Sequence, residues 1–225
     1  MGRLAVIGGS SGIGRAVAER ALSAGWPVTV ASREPERAPG QAERIVLDVT
    51  DGAAVKRAFA ALGPVDHLVW TAGASAIGPA READLDAGRR AFEAKLFGPL
   101  IAIRSVEIRD SIVLTSGLAA TVPAAGAFFT GTVNGAVEAA VRGLAKELAP
   151  VRVNAVAPGM IDTPLYDGLP DGQRQAMFER TGAALPAGRI GRAEDVADAV
   201  WHLMTNEFVT GTVMAIDGGS RLVGV

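Results

Sequence analysis

Three glycines, Gly8, Gly12 and Gly14, carry the first chemistry legible in this 225-residue chain. They sit in LAVIGGSSGIGRAV at residues 4–17, between the apolar run Leu4–Ile7 and a stretch of good helix formers, Arg15–Leu22. The run reads as a fully buried parallel strand, and the second stretch has apolar residues at helical spacing. Strand, glycine-rich turn and helix in that order make a phosphate-binding element. Glycine permits a tight turn and close backbone approach, and a helix N-terminus offers unpaired N–H groups to an anion. The spacing is G-x-x-x-G-x-G, not the commoner G-x-G-x-x-G. A second chemical position follows at the end of the next strand, Val28–Ala31, where the chain reads Ser32-Arg33 with no acid at the strand end. In a dinucleotide fold an acid here bonds the 2′-hydroxyl of NAD, whereas an arginine accommodates the 2′-phosphate of NADP. The reading is therefore NADP(H).

Composition removes other chemistries. The chain has no cysteine and only two histidines, His67 and His202, in unrelated contexts. Disulfides and thiolate catalysis are excluded, and neither a metal site nor a Ser-His-Asp triad is expected. His67 falls in a strand and His202 on a helix, so both read as structural. The net charge of −2 and the lack of a Lys/Arg block argue against nucleic acid as a partner. The longest apolar runs are strand-sized, so no membrane partner is expected. The N-terminus enters a strand almost at once and has no secretory signal, so a cytoplasmic location is expected.

The elements that must position these residues alternate along the chain. Strands are predicted at 44–47, 65–71, 110–115, 151–156 and 212–216, beyond the two already named. Residues 34–43 are polar and proline-broken, so any helix there is short or missing. A helix capped by Thr50 or Asp51 is predicted over 53–62. Long helices are predicted over 82–104, interrupted near Gly88 and Gly98-Pro99, and over 125–148, with another at 193–204. Residues 160–190 read as a substrate-loop segment with helical parts. Alternation of this kind gives an α/β fold, a Rossmann-type doubly wound parallel sheet of about seven strands with helices on both faces. One domain over 1–225 is expected.

The whole chain resembles the short-chain dehydrogenase/reductase family. The matching segments are VIGGSSGIGRAVA at 6–18, LDVTD at 47–51, TAG at 71–73, SIVLTSG at 111–117, NGAVEAAVRGLAKELAPVRVNAVAPGMIDTP at 134–164, GRIGRAEDVADAV at 188–200 and VTGTVMAIDGG at 209–219. The resemblance implies that Gly8, Ser10, Ser11, Gly12, Ile13 and Gly14 contact the pyrophosphate and ribose of the cofactor. It implies that Asp48 and Val49 bracket the adenine and that Ala72 and Gly73 pass under the ribose. Pro158, Gly159, Ile161 and Thr163 match the family's P-G-x-x-x-T, in which the Ile161 backbone and the Thr163 hydroxyl hold the carboxamide. Family members are commonly dimers or tetramers through the two long helices. The small residues Ala136, Ala139, Ala140 and Gly143 suit such packing, so a homodimer or homotetramer is expected.

Family chemistry rests on a Tyr-x-x-x-Lys, a Ser thirteen residues before the Tyr, and an Asn on the preceding helix. The Tyr protonates a carbonyl oxygen as hydride arrives. Alignment through NGAVEAAVRGLAKEL puts Thr130 at the Tyr position and Asn134 at the Lys position. Counting back thirteen reaches Gly117, with Ser116 its neighbour, and the Asn position holds Lys95. Asn and Lys thus stand exchanged, and an ammonium and an amide can still meet across one site. An alkyl hydroxyl is a poor acid, so Lys95 with a pKa lowered by burial is the better proton donor than Thr130. Tyr166, the only tyrosine, is a candidate acid or pocket wall, and Ser116 a candidate donor to a substrate oxygen. The expected function is an atypical NADP-dependent oxidoreductase acting on a carbonyl or alcohol of a small apolar substrate. Ile77, Phe128, Phe129, Met160, Leu165 and Met177 are expected near its pocket. The alternatives are a non-catalytic NADP-binding or sensing protein and a cofactor-assisted lyase or isomerase. If Arg33 reads the 2′-phosphate, Arg33→Ala weakens NADPH binding much more than NADH binding in a titration; equal losses contradict the assignment.

Overall fold

A computed structural model of the chain describes residues 2–74 and 76–224. In chain order it forms β1 (Leu4–Ile7), α1 (Gly12–Ser23), β2 (Val28–Ser32), β3 (Glu43–Val46), α2 (Gly52–Leu62), β4 (Val65–Trp70), α3 (Leu85–Phe92), α4 (Gly98–Ile103), β5 (Ile108–Thr115), α5 (Phe128–Glu147), β6 (Arg152–Pro158), β7 (Ile161–Asp162), α6 (Asp171–Ala184), β8 (Gly191–Arg192), α7 (Ala193–Thr205), β9 (Val213–Ile216) and α8 (Ser220–Val223). Seven strands pair in the order β3-β2-β1-β4-β5-β6-β9, every ladder parallel. The chain runs outward from β1 to β3 and then returns to place β4 on the other side of β1. That reversal leaves a crevice beyond the carboxyl ends of β1 and β4, where open α/β sheets bind ligands.

Both faces of the sheet are buried, which is why the strands are continuous apolar runs. Val6, Val30, Val69, Val113 and Val156 pack on one side with residues of α1 and α7, including Val17, Ala21, Val200 and Leu203. Ile7, Leu68, Trp70, Ile112, Leu114 and Ala155 pack on the other with Val55, Phe59, Ala102, Val137 and Val141 of α2, α4 and α5. His67 is buried, accepts or donates at Ser111 Oγ through Nδ1 at 2.8 Å, and stacks on Trp26. Desolvation lowers its pKa, so it is a neutral core residue, as expected.

The expected seven parallel strands are present, and the only helical segment between β2 and β3 is a 3-10 turn at Pro35–Arg37. Asp51, of the two cap candidates, caps α2 by accepting from the N–H groups of Ala53 and Ala54. The stretch 82–104 differs from a plain long helix. It begins at Leu85, and between α3 and α4 it passes through a π-turn at Glu93–Phe97. The cause is local: Gly98 N–H reaches back to Glu93 O, freeing Ala94 O, which accepts from Trp70 Nε1 at 2.9 Å. Pro99 has no N–H to offer Lys95 O, the acceptor a regular α-helix would assign it. The break lies just before Gly98-Pro99 and not at Gly88, which stays inside α3. A Cβ on Gly88 would meet the Phe129 ring at 2.7 Å. The two-residue ladder of β7 and β8 has no counterpart in the sequence pattern, being too short to show a period. Among the described residues no helix is long and apolar enough to cross a membrane.

Candidate active site

The turn after β1 is closed by backbone contact. A Cβ on Gly14 would fall 2.4 Å from both Gly8 O and Thr71 Oγ1, and one on Gly8 would fall 2.8 Å from Ala72 N. Gly8 has φ +87° and Gly12 φ +49°, conformations that favour glycine. Thr71 Oγ1 in turn donates to Ile7 O at 2.9 Å. These contacts bring the segment after β4 against the first turn of α1. Ser11 precedes that turn and makes no side-chain cap, so the first N–H groups of α1 have no intrahelical or capping partner. Thr163 stands opposite: its Cβ lies 3.2 Å from where a Cβ on Gly12 would be. Gly159 approaches Asp217 so closely that a Cβ would meet its Cα at 2.9 Å.

At the end of β2, Ser32 is buried and its hydroxyl has no hydrogen-bond partner, while Arg33 beside it is exposed. Asp48 accepts from Thr50 N–H at 2.9 Å and Thr50 Oγ1 at 2.7 Å. Those bonds, the backbone one first, hold its carboxyl below the usual range, and the Arg33 charge adds to the effect. Val49 follows in the same loop and packs on the core under α2.

The second cluster is centred on Lys95. The π-turn projects this side chain along Gly73, where a Cβ would lie 3.4 Å from Lys95 Cγ and Cδ. Its ammonium donates to Asn134 Oδ1 at 2.5 Å and to Ser116 O at 3.0 Å. Lys95 and Asn134, from α5, therefore meet directly, without an intervening water. Burial pushes the Lys95 pKa down to about 8. Asn134 is 2% exposed. A Cβ on Gly117 would fall 2.8 Å from Asn134 Nδ2, so the amide occupies space that any other residue at 117 would claim.

The remaining candidates are placed differently. Ser116 presents its carbonyl to Lys95, but its hydroxyl points into α5. The Oγ lies 2.8 Å from Glu138 Oε1 and 3.3 Å from Asn134 O, and the residue is 3% exposed. Ser116 thus corrects the expected role: its single proton is committed to Glu138, one turn beyond Asn134. Thr130 Oγ1 donates to Ala76 O at 3.2 Å and pins the loop after β4. Tyr166, on the 3-10 turn Pro164–Tyr166, packs edge-on to Phe178 of α6 and hydrogen-bonds none of Lys95, Asn134, Ser116 or Thr130. Burial raises its pKa, which makes it a weaker acid. Phe129 lines a groove of about 370 Å³ between α3 and α5 with Leu85, Gly88, Arg89, Phe92, Glu93 and Phe97. Gly117, Glu138 and Thr71 are the site residues without an assigned role in the sequence reading. Glu138 had a signal, since it lies four residues after Asn134 and so on the same helix face.

The family model described as Enoyl-(Acyl carrier protein) reductase matches residues 7–221. The chain is 35% identical to the cis-4-hydroxycyclohexanecarboxylate dehydrogenase of Sinomonas cyclohexanicum, over 98% of this chain and 97% of that one. It is 33% identical to short-chain dehydrogenase/reductase ATR9 of Stachybotrys chlorohalonatus, over 96% of each. Among solved structures it is similar to a small-chain dehydrogenase in complex with NADPH, with a TM-score of 0.88 and 37% identity over 98% of both chains. It is also similar to the ligand-free aldohexose dehydrogenase of Thermoplasma acidophilum, with a TM-score of 0.88 and 31% identity over 98% of this chain and 94% of that one.

The contact between Gly117 and Asn134 is testable by stability. Gly117 has φ 164°, an extended conformation open to any residue, so a substitution there is felt through the contact alone. Gly117→Ala is expected to cost about 1–3 kcal/mol in denaturant unfolding, the usual range for overpacking. In an Asn134→Ala background, itself less stable because Lys95 loses an acceptor, the same substitution at 117 is expected to cost much less. A Gly117→Ala protein as stable as the wild type contradicts the packing.

Proposed function

The chain belongs to the short-chain dehydrogenase/reductase family, and from that premise we propose that it is an NADP(H)-dependent oxidoreductase in which Lys95 takes the part of the proton donor. Its substrate is a carbonyl compound, or the matching alcohol, with an apolar body. The observation that carries the reading is the Lys95 ammonium, held on Asn134 Oδ1 and Ser116 O with its pKa near 8.

The residues present fit the cofactor. The glycine cradle at Gly8, Gly12 and Gly14 has no room for a Cβ at Gly8 or Gly14, and the first turn of α1 has open N–H groups for a pyrophosphate. The unpartnered Ser32 hydroxyl and the exposed Arg33 guanidinium suit a 2′-phosphate. Ser10, Ser11 and Ile13 would line the same cradle, Asp48 and Val49 the adenine, Ala72 and Gly73 the ribose, and Pro158, Gly159, Ile161 and Thr163 the carboxamide. NADPH, when bound, supplies the hydride that reduces the carbonyl carbon.

The chain's own part is to hold and move a proton. Lys95 has three N–H donors. Two are fixed by Asn134 Oδ1 and Ser116 O, which orients the ammonium and leaves a third for a substrate oxygen. As negative charge develops on that oxygen the ammonium stabilises it and gives up a proton, leaving a neutral amine that solvent reprotonates. A pKa near 8 suits this exchange near neutral pH. Ser116, through Glu138, and Thr130, through Ala76, fix the loops on either side. Ile77, 79% exposed, and Leu165, 71% exposed, supply apolar surface on loops beside the crevice. The Sinomonas relative named for a hydroxylated cyclohexane ring supports a small ring-sized substrate.

Assembly as a homodimer or homotetramer belongs to the same proposal. Leu85, Phe97 and Phe128 are exposed around the α3–α5 groove, and Gly135 and Gly143 leave open faces on α5. Light scattering is expected to give two or four chains per particle; a monomer contradicts it.

Lys95→Met tests the catalytic role. It is expected to cut NADPH-dependent turnover by about a hundredfold or more, within the range of general acid catalysis, while NADPH affinity changes little. Reduction needs the ammonium, so the wild-type rate is expected to fall as pH rises through about 8. Oxidation of the alcohol needs the free amine and is expected to rise over the same interval. Retained turnover in Lys95→Met, or a rate flat across that pH range, contradicts the role.

A further inference from the structure

We infer that this site takes a substrate that carries an anionic oxygen, that of a carboxylate, beside its reacting carbonyl or alcohol. The inference deepens the oxidoreductase reading and rests on the same side chains. Lys95 forms no ion pair with Asp or Glu among the described residues, and both acceptors of its ammonium, Asn134 Oδ1 and Ser116 O, are uncharged. Glu138, the carboxylate one turn along α5, is taken by the Ser116 hydroxyl. A charge held by dipoles alone in a partly buried site lacks the counter-charge that usually accompanies such burial.

A second group points the same way. Asn134 turns Oδ1 to Lys95, and its Nδ2 donates to no described protein group. The lack of a side chain at Gly117 makes room for the Asn134 amide, and the lack of one at Gly73 makes room for the Lys95 stem. The chain therefore brings together an ammonium N–H and amide N–H groups with donors only and no acid to match them. A neutral carbonyl would satisfy a donor and leave the charge uncompensated. An oxyanion does both, through charge-assisted bonds that are about twice as strong as neutral ones. The oxygen recognised by its charge belongs to a carboxylate beside the reacting carbonyl, and not to the carbonyl that takes the hydride and the proton.

The test is binding and not turnover. Benzoate and benzamide are nearly isosteric and differ in charge. Calorimetric titration of the wild-type protein, with and without saturating NADP⁺, is expected to find benzoate bound at least about tenfold more tightly. Lys95→Gln is expected to abolish that preference and Lys95→Arg, which keeps the charge, to retain it. Asn134→Asp, which sets a carboxylate on the ammonium, is expected to abolish it as well. Equal affinities, no detectable benzoate binding, or a preference surviving Lys95→Gln overturns the inference. The two proposals fail separately. Turnover of neutral ketones with equal affinities removes the anion site and leaves the reductase; a Lys95-dependent preference without turnover does the reverse.

Discussion

The bond between the Lys95 ammonium and the Asn134 carboxamide is the contact on which the account of this site depends. It joins a π-turn, the end of β5 through Ser116 O, and the first half of α5. None of these elements brings the chemistry alone. A regular helix through 93–97 would turn Lys95 to another direction. The π-turn is fixed from below by Trp70, whose indole takes the carbonyl that the turn releases. A core tryptophan on β4 thus sets the direction of a lysine at the surface of the crevice.

Close packing of glycines is the second constraint. Gly14 against Gly8, Gly73 along Lys95 and Gly117 beside Asn134 are places where missing side chains let backbone or functional groups come together. In the first, contact of backbone on backbone shapes a cradle for an anion. In the other two, the space lets a cation and an amide stand at the edge of the same crevice. The glycines with positive φ at 8 and 12 are needed for conformation, whereas Gly117 is needed only for room.

Much of the fold was legible because buried parallel strands are apolar runs and glycine-rich βα turns have a fixed spacing. The alternation of strands and helices, a cap at Thr50 or Asp51 and the near absence of a helix at 34–43 all followed from local residues. The meeting of Lys95 and Asn134 was legible from the family register, although its directness was not. The roles of Ser116 and Phe129 were not legible, because a hydroxyl or ring at a given position has two directions to point. Packing decides between them: Glu138 draws the Ser116 hydroxyl into α5, and Gly88 admits the Phe129 ring into the α3–α5 groove. The π-turn was visible only as a break near Gly98-Pro99, since the tryptophan that completes it comes from a distant strand.

The central claim is that Lys95 is held as an ammonium poised to lose its proton near neutral pH. A titration of the protein with ¹³C at the lysine Cε positions, with Lys95 assigned by its loss in Lys95→Met, measures this directly. The account predicts a Lys95 resonance that titrates near pH 8, apart from the other lysines. A Lys95 that titrates with the exposed lysines, at about 10.4, contradicts it.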